Sequence, residues 1–543
     1  MKTIQLYLLS LLSGLLLAFA WFPSGFTPLI FIAFIPLLMV EQFIYNEKPH
    51  KSSTVFIHSY IAFFTWNAIT TWWIKNASIE GAAMAILCNT LLMAGVFQLF
   101  HNTKKRIGEK YGNLIFICFW ITFEWLHLDW DLTYPWLTLG NVFAADNRWV
   151  QWYEYTGVFG GSLWVLVLNV LISQKLKGKR QKKDIASIQQ TGSTKKNWIL
   201  DYIRLTIIIL GPLLISFILL SKEYNYPNKI NVVVVQPNID PYNEKFSGNY
   251  LEQLQKMISL TEGKINDSTD YLIFPETALT EEIWENELDK STSIQFLQAF
   301  LKHYPQLKII IGAASYRAYN GNERPTETAR KFYDANQYYD AYNTAIQLDS
   351  SGHVQIYHKS KLVPGVEKMP FPFIFKYMED YAINLGGTTG SLAEQTERTA
   401  FYSPDKKTKT APVICYESIY GEFVGEYIHN GAEFISIITN DGWWGDTPGY
   451  KQHLKYGALR AIETRKWIAR SANTGISCFI NPKGEIMQAT SWWVPASIAQ
   501  TIGLSDYKTF YTTYGDYIAR IAFYASLCIL IYSLLLRFGI IKK

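Results

Sequence analysis

The chain is 543 residues long, 16% of them aromatic and 17% charged, with a formal net charge of +5 at pH 7. Average soluble proteins carry about 25% charged residues, so most of this chain is not an ordinary soluble surface; its lysines and arginines gather in a few loops, which suits membrane orientation and speaks against a nucleic-acid partner. The five cysteines form no C-x-x-C pair and the nine histidines no H-E-x-x-H pair, so neither a disulfide framework nor a metal is expected, and no cofactor is implied.

Seven apolar stretches precede residue 225, at about 4–22, 27–46, 54–74, 82–101, 113–128, 159–174 and 203–221, and an eighth covers about 516–536. Lengths of roughly 16–21 residues suit helices that cross a hydrocarbon core about 30 Å thick. Ala18-Phe19-Ala20 resembles a signal-peptidase site, yet six more spans follow at once, so an uncleaved first helix is the simpler expectation. Lys48 and Lys51 lie between spans 2 and 3, and Lys104, Lys105, Arg106 and Lys110 between spans 4 and 5. Eight lysines and arginines from Lys175 to Lys196 separate spans 6 and 7, while the alternate loops carry little beyond Lys75 and Arg148. The positive-inside rule then puts both termini in the cytoplasm. An odd number of spans comes before residue 225, so the large segment that follows is expected outside it. Residues 175–200 read as a flexible cytoplasmic loop. Glu124, within span 5, is either a polar contact (to a headgroup or another helix) or a snorkelling carboxylate, and Glu41 is assigned to snorkelling near the end of span 2.

Residues 229–505 read as an α/β domain. Buried strands are expected at 231–236, 271–275, 308–313, 343–348, 411–415, 433–438 and 475–480, with helices at about 247–265, 291–303, 418–429 and 450–468. The resulting organisation is a transmembrane domain at 1–224, an extracytoplasmic catalytic domain at 225–510 and a C-terminal helix at 511–543.

Three of the strand ends carry chemistry. Tyr271-Leu272-Ile273-Phe274 runs into Pro275-Glu276-Thr277; Tyr357-His358-Lys359 closes a second β-type segment; Val413-Ile414 delivers Cys415, followed by Tyr416-Glu417-Ser418. A thiol is a weak nucleophile until a base removes its proton, and a nearby cation lowers its pKa. Glu276 suits the base. Lys359 suits the stabiliser of the oxyanion in a tetrahedral intermediate. Alone, each has an ordinary reading, as core packing, a helix start or a solvated strand end.

Together, Phe274-Pro275-Glu276-Thr277, Tyr357 to Pro364 and Ile414-Cys415-Tyr416-Glu417 resemble, in order, the three signatures of the nitrilase (carbon–nitrogen hydrolase) superfamily. The resemblance implies an α-β-β-α sandwich with a Glu276-Lys359-Cys415 triad. With seven spans before it and one after, the chain is similar to the apolipoprotein N-acyltransferases. Asn440 to Gly449 with Gln452-His453, Gln236-Pro237-Asn238-Ile239, Ser471 to Gly475 and Phe123 to Leu126 also fit that family. Glu367, eight residues past the lysine, matches its additional glutamate. Two departures concern the acyl-donor contacts: Gly365-Val366-Glu367-Lys368-Met369-Pro370 differs from the family's usual Phe-Gly-Glu-Phe-Val-Pro, and Phe246 stands where a tryptophan is usual.

The implied task is transfer of a fatty acyl chain from a phospholipid, through a cysteine thioester, to the α-amine of diacylglyceryl-cysteine in apolipoproteins, at the outer leaflet of a bacterial inner membrane. A membrane-tethered amidase using water as acceptor is the alternative. Glu367 and Glu417 are expected to support the triad, Glu417 by holding the lysine or the acceptor amine from the same side of an extended strand. Tyr416 is a further candidate contact. The loop at 440–450 is expected to gate lipid access, with Trp443 packing an acyl chain or headgroup near Cys415.

Overall fold

A computed structural model describes residues 2–21, 23–47, 52–186, 195–321, 324–333, 336–371 and 391–542. The first helices are α1 (Thr3–Ala20), α2 (Ile35–Asn46), α3 (Thr54–Thr71), α4 (Ile79–Ile107), α5 (Gly112–Leu126), α6 (Tyr153–Ala186) and α7 (Lys195–Ser221), and a last long helix spans Tyr517–Arg537. Among the described residues, six segments are long and apolar enough to cross a membrane: Thr3–Ala20, Thr27–Asn46, Ile79–Ile107, Tyr153–Lys177, Tyr202–Ser221 and Tyr517–Arg537. The other two expected spans are the interior ones. α5 has 15 residues, and α3 carries His58, Asn67 and four threonines. Their rings Phe63, Phe116 and Trp120 pack on Phe34 and Phe97 in one aromatic cluster. The expected loop at 175–200 is largely helical, because α6 runs on to Ala186 and α7 starts at Lys195; the rest of that loop lies outside the described residues.

Local chemistry accounts for the helix ends. α4 starts at Ser78, whose hydroxyl accepts from Gly81 N at 2.9 Å, and ends with Lys104, Lys105 and Arg106 against the negative end of its dipole. The second span is broken into the turn Thr27–Phe31 and α2, which has a proline in its first turn. Asn169 bridges the break, accepting from Phe34 N at 2.9 Å and donating to Ile30 O at 2.8 Å. Such repair is what a hydrocarbon environment demands of freed backbone groups. Glu41 does not snorkel: it is buried and takes Lys104 at 2.6 Å and His101 at 2.7 Å. Glu124 is also buried, and its Oε1 accepts from Trp120 Nε1 at 3.0 Å and Leu139 N at 2.8 Å, so it anchors the segment after α5.

Two sheets follow. The first takes β1 (Asn228–Gln236), β2 (Tyr271–Ile273), β3 (Leu279–Trp284), β4 (Lys308–Tyr319), β5 (Arg330–Lys331), β6 (Tyr338–Asp349) and β7 (Val354–His358). The second takes β8 (Phe401–Tyr402), β9 (Lys409–Ile414), β10 (Phe434–Thr439), β11 (Ile468–Ala472), β12 (Cys478–Ile480) and β13 (Ile486–Met487). β14 (Ala496–Leu504) returns to pair antiparallel with β1 along its whole length, Asn228 opposite Leu504. β1 and β2 are parallel, as are β9, β10 and β11. Period-2 alternation divides the core. Val232, Val234, Tyr271 and Ile273 point to the second sheet, while Val233, Val235 and Leu272 point to α8 (Tyr250–Ser259) and α9 (Thr292–Leu301). Helices Gly421–His429 and Pro448–Thr464 cover the other face, completing the α-β-β-α sandwich.

Candidate active site

The parallel strands end on one side of the sandwich, where a crevice at strand C-termini is the usual place for ligands. β2 stops at Ile273, and the chain passes through Pro275 and Glu276 to Thr277, whose φ is +43°. Gly312 of β4 lies beneath this turn: a Cβ there would come within 2.4 Å of Thr277 N and 2.6 Å of Glu276 Cα. Only a residue without a side chain lets the turn approach so closely. β7 stops at His358 and hands over Lys359, whose backbone N–H donates to Asn343 O of β6 at 2.8 Å. β9 stops at Ile414, and Cys415 then takes the left-handed conformation, φ +49°, opening a tight turn to Ile419.

These three turns bring the sequence-predicted residues together. Lys359 is 1% exposed and donates from Nζ to Glu276 Oε1 at 3.0 Å and to Glu367 Oε1 at 2.8 Å. Asn343 Nδ2 donates to the same two oxygens, at 2.8 and 3.0 Å. Glu276 Oε2 accepts from Asn440 N at 3.0 Å, and Glu367 Oε2 from Val363 N at 2.8 Å. Burial alone would raise Glu276, but the Lys359 ammonium and the Asn343 amide outweigh it and hold the carboxyl below its ordinary range. Burial likewise opposes charge on Lys359, and Glu276 with Glu367 reverses that, keeping it protonated well above the usual lysine range. Burial first, then the Glu276 carboxylate, push the Cys415 thiol up against the pull of Lys359. The resting arrangement is a neutral thiol beside an ionised carboxylate, so the proton moves only when the thiol attacks.

Glu417 sits elsewhere than expected. The turn after Cys415 carries it behind the nucleophile, where Oε1 accepts from Tyr357 OH at 2.6 Å and Ser360 N at 2.7 Å, and Oε2 from Ile414 N at 2.7 Å. It ties the Lys359 turn to the Cys415 turn and makes no hydrogen bond to the lysine itself. Burial pushes it up to about 7 against those hydrogen bonds. Tyr416 donates to Thr133 O at 3.0 Å and so fastens the same turn to the segment after α5.

Sequence reasoning gave no role to a second buried cluster. Asp441 Oδ1 meets His453 Nδ1 at 2.9 Å, Asp441 Oδ2 accepts from Arg470 Nη2 at 2.6 Å, and His453 Nε2 lies 3.1 Å from the Cys415 carbonyl. Arg470 and His453 outweigh the burial of Asp441 and keep it ionised. Cys415, Asp441 and His453 are the one group of three metal-ligating side chains found among the described residues, their ligand atoms within 4.8 Å of one another. With the Arg470 guanidinium already on the carboxylate, the group is a poor cation site.

A cavity of about 230 Å³ opens from this polar end. Cys415, Lys359 and Glu276 line it together with Gly81, Met84, Cys88 and Leu92 of α4. Their spacing of three and four residues places them on one helix face. Trp443 and Trp444 also line the cavity. The Trp443 ring packs on Tyr242, 5.2 Å between centroids, and its carbonyl accepts from Tyr242 OH at 2.6 Å; the Trp444 ring packs on Trp73 at 5.0 Å. Asn343 and Arg470 sit mid-strand with no local motif to mark them; only the folded sheets bring them here.

Residues 13–171 match the family model for the apolipoprotein N-acyltransferase N-terminal domain, and residues 231–510 match that for carbon–nitrogen hydrolases. The apolipoprotein N-acyltransferase of Chlorobaculum tepidum is 30% identical over 532 residues, covering 95% of this chain and 94% of its own. That of Haemophilus influenzae is 26% identical, covering 94% and 91%. Among solved structures, Saccharomyces cerevisiae Nit3, a member of branch 10 of the nitrilase superfamily, is 16% identical with a TM-score of 0.36, covering 54% of this chain and 96% of its own.

Proposed function

Because the chain belongs to the apolipoprotein N-acyltransferase family, we propose that Cys415 carries the acyl group from a phospholipid to the acceptor lipoprotein as a thioester. The protein is a multi-pass bacterial membrane enzyme of lipoprotein N-acylation. The finer reading gives each residue a part. Glu276 takes the thiol proton as Cys415 attacks the ester carbonyl, and Lys359 stabilises the oxyanion. The lysophospholipid leaves with that proton. The α-amine of diacylglyceryl-cysteine then attacks the thioester, gives up a proton to Glu276, and departs acylated as the thiol is restored. Residues 1–224 and 511–543 hold the bilayer, and 225–510 face the periplasm from the inner membrane, a placement that the positive-inside distribution supports.

One observation carries the reading: the nucleophile stands where a hydrogen-bonded Glu-Lys-Glu cluster meets an apolar cavity that runs along a membrane helix. Water-soluble amides need no such wall, so the amidase alternative gains nothing from it. Enzyme incubated with phospholipid alone should gain one acyl mass, released by hydroxylamine and absent in Cys415→Ser. Normal turnover with no acyl-enzyme would exclude the covalent route.

A further inference from the structure

One buried charge has no part in that chemistry. Lys245 lies on the segment between β1 and α8 and is 3% exposed. Its Nζ donates to the Glu276 carbonyl at 3.2 Å and to Thr277 Oγ1. With the Asn440 amide turned to face its donors, the amide oxygen accepts from Lys245 Nζ and from Trp443 Nε1, each at 3.2 Å. An ammonium has three donors and no acceptor; three oxygens surround this one, which is the setting of the charged form. None of the three belongs to a carboxylate.

A count of nearby charges explains why it is there. The site holds two carboxylates, buried Glu276 and partly buried Glu367, against the single ammonium of Lys359. Passing the Cys415 proton to Glu276 breaks S–H, forms O–H, leaves the electron pair on sulfur and changes no net charge. One negative charge therefore remains uncompensated throughout, which is strongly unfavourable in a buried place. Asp441, the other carboxylate that faces Cys415, is already met by Arg470 and His453. Glu417 is taken up by Tyr357 and the backbone of Ser360 and Ile414. The groups that face Lys245 itself are Glu276 and Cys415.

We propose that Lys245 is a charge-balancing positioning residue, whose ammonium, held on the Glu276–Thr277 turn, neutralises the site and eases formation of the Cys415 thiolate. The proposal rests on the triad reading above. Burial lowers Lys245 to about 8, with Glu276 and Cys415 in partial opposition, so its charge is lost in the mildly alkaline range.

The test is alkylation of Cys415 by iodoacetamide in the full-length enzyme between about pH 6 and pH 10, read by mass, with Cys415→Ser as background. Wild-type reactivity should rise with pH and break near pH 8. Lys245→Met should react slower at neutral pH by on the order of tenfold, one pKa unit in the thiol, while still unfolding cooperatively. Lys245→Arg stays charged across the range, so it should keep the neutral-pH reactivity and lose the break. A folded Lys245→Met with the wild-type profile would overturn the proposal. So would a wild-type profile without a break, or a break that survives in Lys245→Arg; these two arms decide the matter if Lys245→Met fails to fold. Failure of the triad reading would look different: Cys415→Ser would retain acyl transfer, whatever the alkylation profiles show.

Discussion

On the sandwich side of the cavity, Glu276, Lys359, Glu367 and Asn343 hold one another through hydrogen bonds of 2.8–3.0 Å. On the helical side, Gly81, Met84, Cys88 and Leu92 of α4 offer little beyond apolar area. The first wall works by position. Each group shares its hydrogen bonds with the next, so a change of one atom is felt by all. The second works by area and shape, which are shared among many weak contacts and tolerate substitution. We propose that the sandwich side sets whether the reaction runs and the helical side which chain it runs on.

If that division holds, mutational effects should fall in order from one wall to the other. Cys415→Ala should abolish acyl transfer, and a mass spectrum after incubation with phospholipid should show no adduct. Next come Glu276→Gln and Lys359→Met, each expected to lower turnover at least about 100-fold, the scale of one general base or one oxyanion contact. A near-normal rate in either folded variant would remove the role assigned to it. Glu417→Gln leaves one backbone donor, Ser360 N or Ile414 N, unmet behind the nucleophile, so a loss of roughly 1–3 kcal/mol in chemical denaturation should accompany its slower turnover. A change in rate with no change in stability would instead place Glu417 in contact with the reaction. On the helical side, Met84→Trp should shift preference from long to short acyl donors by about tenfold, the lower end of the 1–3 kcal/mol that a hydrophobic pocket can discriminate. Equal slowing of all chain lengths would mean that this wall positions the carbonyl as well. The smallest effect belongs to Trp443→Ala, which should slow acylation from phospholipid a few-fold (below 1.4 kcal/mol of barrier, about tenfold) while sparing alkylation of Cys415 by a small thiol reagent. Equal slowing of both would end the idea that the loop at 440–450 gates lipid access.

The two regions also differed in how plainly they could be read. Glu276, Lys359 and Cys415 were legible because each follows an apolar, β-rich run that announces a strand end, and strand ends are where parallel sheets present chemistry. Glu417 was misplaced for a physical reason: spacing of two puts side chains on one side only while the chain stays extended, and Cys415 at φ +49° ends the extension. The expected helix at 450–468 stops at Thr464, where Arg465 turns left-handed at φ +53°, and β11 begins at Ile468. β14 went unread because Ser497, Gln500 and Thr501 interrupt its apolar pattern, as an edge strand permits. Asn343, Arg470 and Lys245 reach the site through pairings far apart in sequence, which no local pattern records. In the bundle, apolar length found the helices but not their internal repairs. Asn169 and the Glu41–His101–Lys104 cluster depend on which faces meet.

The same left-handed Arg465 has a bearing on how the enzyme is made. Its guanidinium is buried and donates to Glu154 Oε2 and to the Gln151 side chain and carbonyl, all at the start of α6, as well as to Pro482 O. Translation delivers Glu154 and Gln151 about three hundred residues earlier than Arg465. The sandwich therefore completes its fold against a segment made long before it, and a copy of the sandwich alone would leave that guanidinium without most of its acceptors.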